Sequence, residues 1–460
     1  MTPEQPRPPA AVTLVGIGPD GWQGLAEAPR AALRAAGTVL GAPRQLALLP
    51  AECAAERVPW PSPLRPAVPG LLAAHAGRRI VVLASGDPMF HGIGRALAEI
   101  VGPAGLRVHP HPSSVSYACA RLGWPVEDTD VVSAVGRPVE RLAALLHPGR
   151  RVLVLSADAD GPARVRELLR ERGFGPSPVR VLEQLGGPDE HITAAVSADE
   201  WSRPPGDPLN IVAVECVRAP DAVPLGTVPG LPDTAYEHDG QLTKRHVRAA
   251  TLAVLAPEPG QLLWDIGGGS GSIAVEWLRA HPSCRALSVE RDPERAARIV
   301  RNARALGVPG LRVVTGAAPG ALDGLPAPDA VFIGGGLTSA GLLDRCWDAL
   351  APGGRLVANT VTLESEALLA DARHRYGGEL VRLAVAHAVP VGRFTGWRQA
   401  MPVTQWSVRK APPGASDGAP GARHGEKPPH AQRQTQEQQE QQEQQEQQEQ
   451  QEQQEQGDGS

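Results

Sequence analysis

Between residues 262 and 271 the chain reads LLWDIGGGSG. An apolar run carries Asp265 near its end, and Gly267, Gly268, Gly269, Ser270 and Gly271 follow before the helix-like segment SIAVEWLRA. A strand that turns through glycines into a helix brings unpaired backbone N–H groups and the positive end of the helix dipole to one point. That arrangement holds a nucleotide-like ligand. The next apolar run, ALSVE, ends in Glu290, at about the 20-residue spacing where an acid accepts hydrogen bonds from ribose hydroxyls. The dinucleotide fingerprint G-x-G-x-x-G is not met, because Ser272 stands where its third glycine belongs. A tight turn without a ligand and an NAD site remain as alternatives on these residues alone.

A second set of chemistry-bearing turns lies in the first half. AVTLVGIGPDG ends a strand in Gly16-x-Gly18-Pro19, and IVVLASGDPM ends another in Ser85-Gly86-Asp87-Pro88-Met89. LRVHPHPSSVSYACARLG passes from a strand through Ser113-Ser114 into a helix. Each has a plain structural reading: a tight connection, a strand–helix link, a helix cap.

The elements that must position these turns alternate. In the first half, the strands TVLGA, RRVLVLS, PVRVLEQL and PLNIVAVEC join those above, with helices such as PARVRELLRERG between them. In the second, a helix in EHDGQLTKRHVRAATLAVLAP precedes about seven strand-like runs, the last two being ELVRLAVAHA and MPVTQWSVRK, with PERAARIVRNARALG and LLDRCWDALAPGG as helices. That rhythm predicts an α/β protein with a doubly wound sheet in its second half. The Pro-rich stretch 218–235 reads as a linker, which divides the chain into 11–217 and 236–410. Residues 1–10 read as a disordered lead. Residues 411–460 read as a disordered tail whose QQE repeat has neither a helical period nor apolar a and d positions for a coiled coil.

Composition narrows the function classes. The net charge of −5 includes eight acids within 434–460, so residues 1–433 carry +3, and no basic stripe argues for nucleic acid. The five cysteines are scattered and never form a CxxC pair, which points to reduced thiols, no zinc site and a cytoplasmic location. No apolar run approaches the ~18 residues of a membrane span. With aromatics at 3%, the cores are expected to rest on Ala, Val and Leu.

The motifs of the first half, VGIGPDGW, LASGDPMFHGIG, PSSVSYACARLGWP and LEQLGGPDEHIT, resemble the tetrapyrrole methyltransferases, in the branch that methylates precorrins at C5. The resemblance covers roughly residues 11–217. It implies two small α/β lobes with S-adenosylmethionine (SAM) between them, and it assigns Gly16, Gly18, Ser85, Gly86, Asp87, Met89, Ser113 and Ser114 to SAM. In the second half, Asp265-x-Gly267-x-Gly269-x-Gly271 resembles motif I of the Rossmann-like SAM-dependent methyltransferases. The words EHDGQLTKRHVRA, PDAVFIGGG, LAPGGRLVANTVTLES and MPVTQW resemble their precorrin C15 branch, which also decarboxylates an acetate side chain. That resemblance covers about 232–409 and implies SAM contacts from Thr243, Asp265, Gly267, Gly268, Gly269, Ser270, Gly271, Glu290 and Ala318. Together the halves resemble the fused, decarboxylating precorrin C5,15-methyltransferases of cobalamin biosynthesis. This implies two SAM sites, a precorrin substrate and self-association.

Two departures stand out. Gly268 occupies a position where the Rossmann-like family commonly has Ala or Thr, expected only to add flexibility. Gly316-Ala317-Ala318-Pro319 lacks the acid many members place there for the adenine amine. Methyl transfer to an electron-rich macrocycle needs positioning more than covalent catalysis, so no triad is expected. His238, Asp239, Lys244 and Asn359 are the candidate catalytic groups. Arg245 and Arg393, with His91, Arg95 and Arg137 in the first half, are candidates for meeting the substrate's carboxylates. Methylation of another small molecule, or a tetrapyrrole-binding scaffold with one active half, are the rival readings.

Overall fold

The computed structural model describes residues 12–412. The lead and the Gln/Glu tail lie outside them, except for Ala411 and Pro412. The apolar runs form strands β1 (Val12–Ile17), β2 (Thr38–Gly41), β3 (Glu56–Pro59), β4 (Ile80–Ser85) and β5 (Leu106–His109). They pair in parallel in the order β3-β2-β4-β1-β5. A second sheet contains β6 (Thr129–Ser133), β7 (Arg151–Leu155), β8 (Pro178–Glu183), the short β9 (His191–Ile192) and β10 (Val196–Ser197), and β11 (Asn210–Glu215). Its order is β10-β8-β11-β7-β6, mostly antiparallel, with β9 on β8.

The C-terminal half contributes β12 (Leu262–Ile266), β13 (Arg285–Glu290), β14 (Arg312–Thr315), β15 (Ala330–Ile333), β16 (Arg355–Thr360) and β17 (Glu379–Leu383). It ends with β18 (Ala386–Val391), β19 (Phe394–Gln399) and β20 (Val403–Arg409). Seven of these form one sheet in the order β14-β13-β12-β15-β16-β20-β17, with β20 antiparallel to both neighbours. The order reverses at β12, between β13 and β15, which opens a crevice at the strands' carboxyl ends. The glycine loop leaves β12 at that point. The run read as one strand from 379 to 388 breaks after Leu383, and β18 pairs with β19 as a separate hairpin.

Both faces of the seven-stranded sheet are covered, so the central strands β12 and β15 are buried along their whole length, while the edge strands β14 and β17 are partly exposed. Aliphatic residues dominate these cores, yet the largest fully buried side chains are Trp264, Trp277 and Trp406. Three of the few aromatics thus fill space that several aliphatic side chains would otherwise be needed to occupy. All five cysteines are free and buried. Burial pushes the Cys216 and Cys346 thiols up to about 12. Among the described residues no helix is long and apolar enough to cross a membrane.

The end of the stretch read as linker packs with the second half. Leu231 and Tyr236 join the core between the sheet and its helices. A buried ion pair fastens them. Arg248, fully buried on the helix Arg245–Leu255, donates through Nε to Glu276 at 2.6 Å and also meets Asp233 and the carbonyls of Leu231 and Thr243. Glu276, on the helix Ser272–Ala280, also accepts from the N–H groups of Gly230 and Leu231 and from the Tyr236 hydroxyl. A pair buried this completely is sustained by its additional hydrogen bonds, and removing one partner strands the other charge. Arg248→Met is therefore expected to lower the unfolding free energy by about 3–5 kcal/mol in urea titrations. A loss under about 1 kcal/mol would contradict this reading of the pair.

Candidate functional site

Two cavities of ≈ 630 Å³ each receive the motif residues. The first lies between the two N-terminal sheets. Gly18, Ser85, Gly86, Asp87, Ser113 and Ser114 face Leu155, Leu182 and Asn210 across it. Its floor is a backbone crossing. A Cβ at Gly16 would sit 2.1 Å from the Gly86 carbonyl oxygen and 2.8 Å from the His111 nitrogen, so only glycine lets the three loops meet. Gly16 thus shapes the cavity from beneath rather than lining it.

The polar residues here have structural duties as well. Ser113 caps its helix by accepting from the Ser116 N–H. Asp87 accepts from the Met89 N–H, closing its own turn. Met89, expected to contact SAM, is half exposed and outside the lining, because that turn carries its side chain outward. Ser85 accepts from Arg44 and Gln45, which the helix Pro43–Ala47 brings to the same cavity.

Of the cationic candidates, His91 lines the first cavity. Its Nδ1 lies 3.3 Å from an Arg137 nitrogen, and burial with the nearby Arg137 and Arg141 lowers its pKa. Arg95 is spent on Glu99, one turn along its own helix.

The second cavity opens at the switch point of the seven-stranded sheet. Thr243, Lys244, Asp265, Gly267, Gly268, Gly269 and Asn359 line it. Gly268 does more than add flexibility. A Cβ there would lie 2.2 Å from Ser288 Oγ and 2.8 Å from Ile299, so glycine at 268 leaves the room that the serine beneath the loop occupies. That serine donates to Asp265 Oδ2 at 3.0 Å. Asp265 is buried, and burial raises its pKa to about 7 against the partial relief from Ser288. Glu290 stands behind the loop rather than in the cavity wall. It accepts from the Gly269 N–H at 2.8 Å and the Asp292 N–H at 3.0 Å, and a carboxylate keeps further lone pairs for a ligand.

Ser270 is buried below the loop, where its carbonyl accepts from Asn302, and Gly271 caps the next helix. Ala318 packs against the core on one face of the sheet and does not reach the cavity lining.

His238 and Asp239, expected as catalytic groups, lie outside the lining. Asp239 accepts from Arg295 at 2.8 Å and lies 3.0 Å from Arg298. Those contacts, Arg295 foremost, hold its carboxyl well below the usual carboxylate range. His238 Nδ1 accepts from the Gly240 N–H. Both shape the turn that leads into Thr243. Arg245 is likewise outside the lining, and Arg393 stacks on Phe394 at the hairpin tip. Asn359 belongs to a fixed amide network. It donates to Thr251 at 2.8 Å and accepts from Gln405 at 3.0 Å.

The residues missed from sequence are those that hold the cavity walls: Arg248, Glu276, Asn302 and Gln405, with His246, His387 and Arg44 in the linings. Glu276 was detectable as an acid inside the apolar run SIAVEWLRA, and Arg248 and Asn302 as polar residues at the apolar-face positions of their helices.

Two family models match the chain. One describes tetrapyrrole (corrin/porphyrin) methylases and matches residues 11–199. The other describes a precorrin methyltransferase domain and matches 234–410. The chain is 49% identical over 399 residues to the precorrin-6Y C(5,15)-methyltransferase (decarboxylating) of a Sinorhizobium species, covering 87% of this chain and 96% of that protein. A cobalt-precorrin-7 C(5)-methyltransferase of Salmonella typhimurium is 34% identical over 192 residues, 41% of this chain and 94% of that protein. A probable cobalt-precorrin-6B C(15)-methyltransferase (decarboxylating) of Pyrobaculum calidifontis is 34% identical over 181 residues, 38% of this chain and 93% of that protein.

The raised pKa of Asp265 has a thermodynamic consequence. A carboxyl that stays protonated to about pH 7 when folded but ionises near pH 4 when unfolded contributes stability below pH 4 that is lost as pH rises to about 7. Asp265→Asn removes this dependence. The melting temperature of the variant minus that of the wild type is expected to rise between pH 4 and 7 and then level off. A difference flat across that range would contradict the burial cost.

Proposed function

Because the chain belongs to the family of decarboxylating precorrin-6Y C5,15-methyltransferases, we propose that its two cavities are separate SAM sites, the first serving C5 and the second C15. The chain is a methyltransferase of the cobalamin pathway, with SAM as methyl donor and a precorrin as substrate. The single observation that carries the two-site reading is that each half holds a glycine-floored cavity of the same ≈ 630 Å³ volume. The relatives that match only one half, each named for one of the two methylations, support it.

The residues present fit the donor. At the second cavity, the loop at 267–269 keeps side chains away from a bound methionine moiety, the Glu290 carboxylate lies behind it for ribose, and Asp265 offers a buried acid toward a cation. At the first, Gly16 and Gly86 hold the backbone close, and Ser85, Ser113 and Ser114 offer hydroxyls. When bound, SAM supplies a methyl group on a sulfonium, an electrophile that needs no enzyme nucleophile. The chain's own residues then position and desolvate. Arg44 and His91 in the first cavity, and Lys244 with the Asn359 amide in the second, are among the polar groups that face a carboxylate-rich macrocycle.

Mass spectrometry of the full chain with SAM and a precorrin is expected to show two methyl groups gained and one carbon dioxide lost. In Gly269→Asp, whose new side chain would meet the Gln241 carbonyl oxygen, C15 methylation and decarboxylation should disappear while C5 methylation persists. Gly16→Val should do the reverse. Loss of both activities in either variant would overturn the two-site reading.

A further inference from the structure

The second cavity carries two imidazoles that neither SAM binding nor the sequence motifs account for. His246, on the helix Arg245–Leu255, and His387, on β18, both line it, with ring centroids 5.8 Å apart and planes tilted by 37°. They arrive from opposite directions. One comes from a helix anchored by the buried Arg248, two residues on. The other comes from the hairpin that stands apart from the seven-stranded sheet. Among the described residues neither has a hydrogen-bond or ion-pair partner. The other ionisable groups in the lining are Lys244 and Asp265. Asp265 sits buried under the glycine loop, bound to Ser288, so it is committed to the other end of the site. Arg245 adjoins His246 in the chain, and Arg398 lies opposite His387 across the hairpin. Among the described residues no carboxylate lies within ion-pairing distance of either ring, and the acid that meets Lys244, Asp233 at 3.9 Å, is outside the lining, so this wall of the cavity offers an anion donors with little acidic competition.

Decarboxylation is the step that needs such a pair. An acetate side chain that loses carbon dioxide breaks its C–C bond and leaves the electron pair on the former CH₂ carbon, delocalised into the conjugated macrocycle. A proton must then be added at that carbon, turning CH₂–COO⁻ into CH₃ plus carbon dioxide. Imidazole is the side chain whose ordinary titration range makes it a ready proton donor near neutral pH. We propose that His246 and His387, with Lys244 beside them, receive the carboxylate that is lost, and that one imidazolium of the pair delivers the replacing proton and regains it from solvent. This rests on the C15-decarboxylating reading of the second cavity.

The test is a single-turnover assay of the full chain with SAM and a precorrin, resolved by mass, for His246→Gln, His387→Gln and the double variant. The double variant should slow decarboxylation about 100-fold, the usual scale of a lost general acid. It should accumulate a product carrying both new methyl groups and the intact carboxylate, and C5 methylation should run at the wild-type rate. The wild-type decarboxylation rate should carry a pH limb that is missing in the double variant. Decarboxylation at the wild-type rate in the double variant would overturn the proposal. So would equal losses of C15 methylation and decarboxylation with the pH limb unchanged, which would mark the histidines as structural. A wild type that methylates C5 but never decarboxylates would instead sink the functional reading of the second cavity, and this proposal with it.

Discussion

Each cavity exists because one segment of backbone passes another more closely than a side chain permits. In the first, Gly16 leaves no room for a Cβ between the Gly86 carbonyl and the His111 nitrogen. In the second, Gly268 sits over Ser288 and Ile299, and Gly267 faces Gly335. These crossings lie at the carboxyl ends of central strands, β1 beside β4 and β12 beside β15, where parallel order leaves a crevice. Side chains added there would force the loops apart before they touched any ligand. The same constraint has been met on two unrelated sheets within one chain.

What surrounds the crossings differs. In the second half, buried polar groups stiffen the walls. Arg248 and Glu276 tie the segment 230–243 to two helices, and Asn302 bonds both Glu237 and the Ser270 carbonyl. The Thr251–Asn359–Gln405 network fixes the far wall. Networks satisfied this fully favour one geometry, since partial disruption leaves buried donors without acceptors. In the first half the cavity is bounded by two sheets, and its polar contacts are local to its loops: Ser85 with Arg44 and Gln45, His91 with Arg137, Ser113 with Ser116, and Asn210 with the Asp158 and Asp207 carbonyls. The first site is thus framed by two lobes, the second by a single braced layer.

The α/β class, the seven-stranded sheet and most of the loop residues could be read from the sequence, because they rest on local rules. Apolar runs of strand length, glycines between strand and helix, and the acid of ALSVE all announce themselves within about 30 residues. What could not be read depends on long-range contacts. Nothing local separates Asp239, spent on Arg295 and Arg298, from Lys244, which faces the cavity five residues later. Met89 is half exposed and outside the lining, a placement that the Asp87 turn decides and the motif alone does not announce. The hairpin of β18 and β19 was hidden because its exposed residues lack the apolar alternation that marks a half-buried strand. His387 was lost with it.

The central claim is that one chain carries two independent SAM sites. Titration calorimetry with S-adenosylhomocysteine, the demethylated and unreactive form of the donor, measures this without any precorrin. Two equivalents bound per chain, falling to one in Gly16→Val and to one in Gly269→Asp, is the expected result. One equivalent in the unaltered chain, or loss of both in either variant, would contradict it.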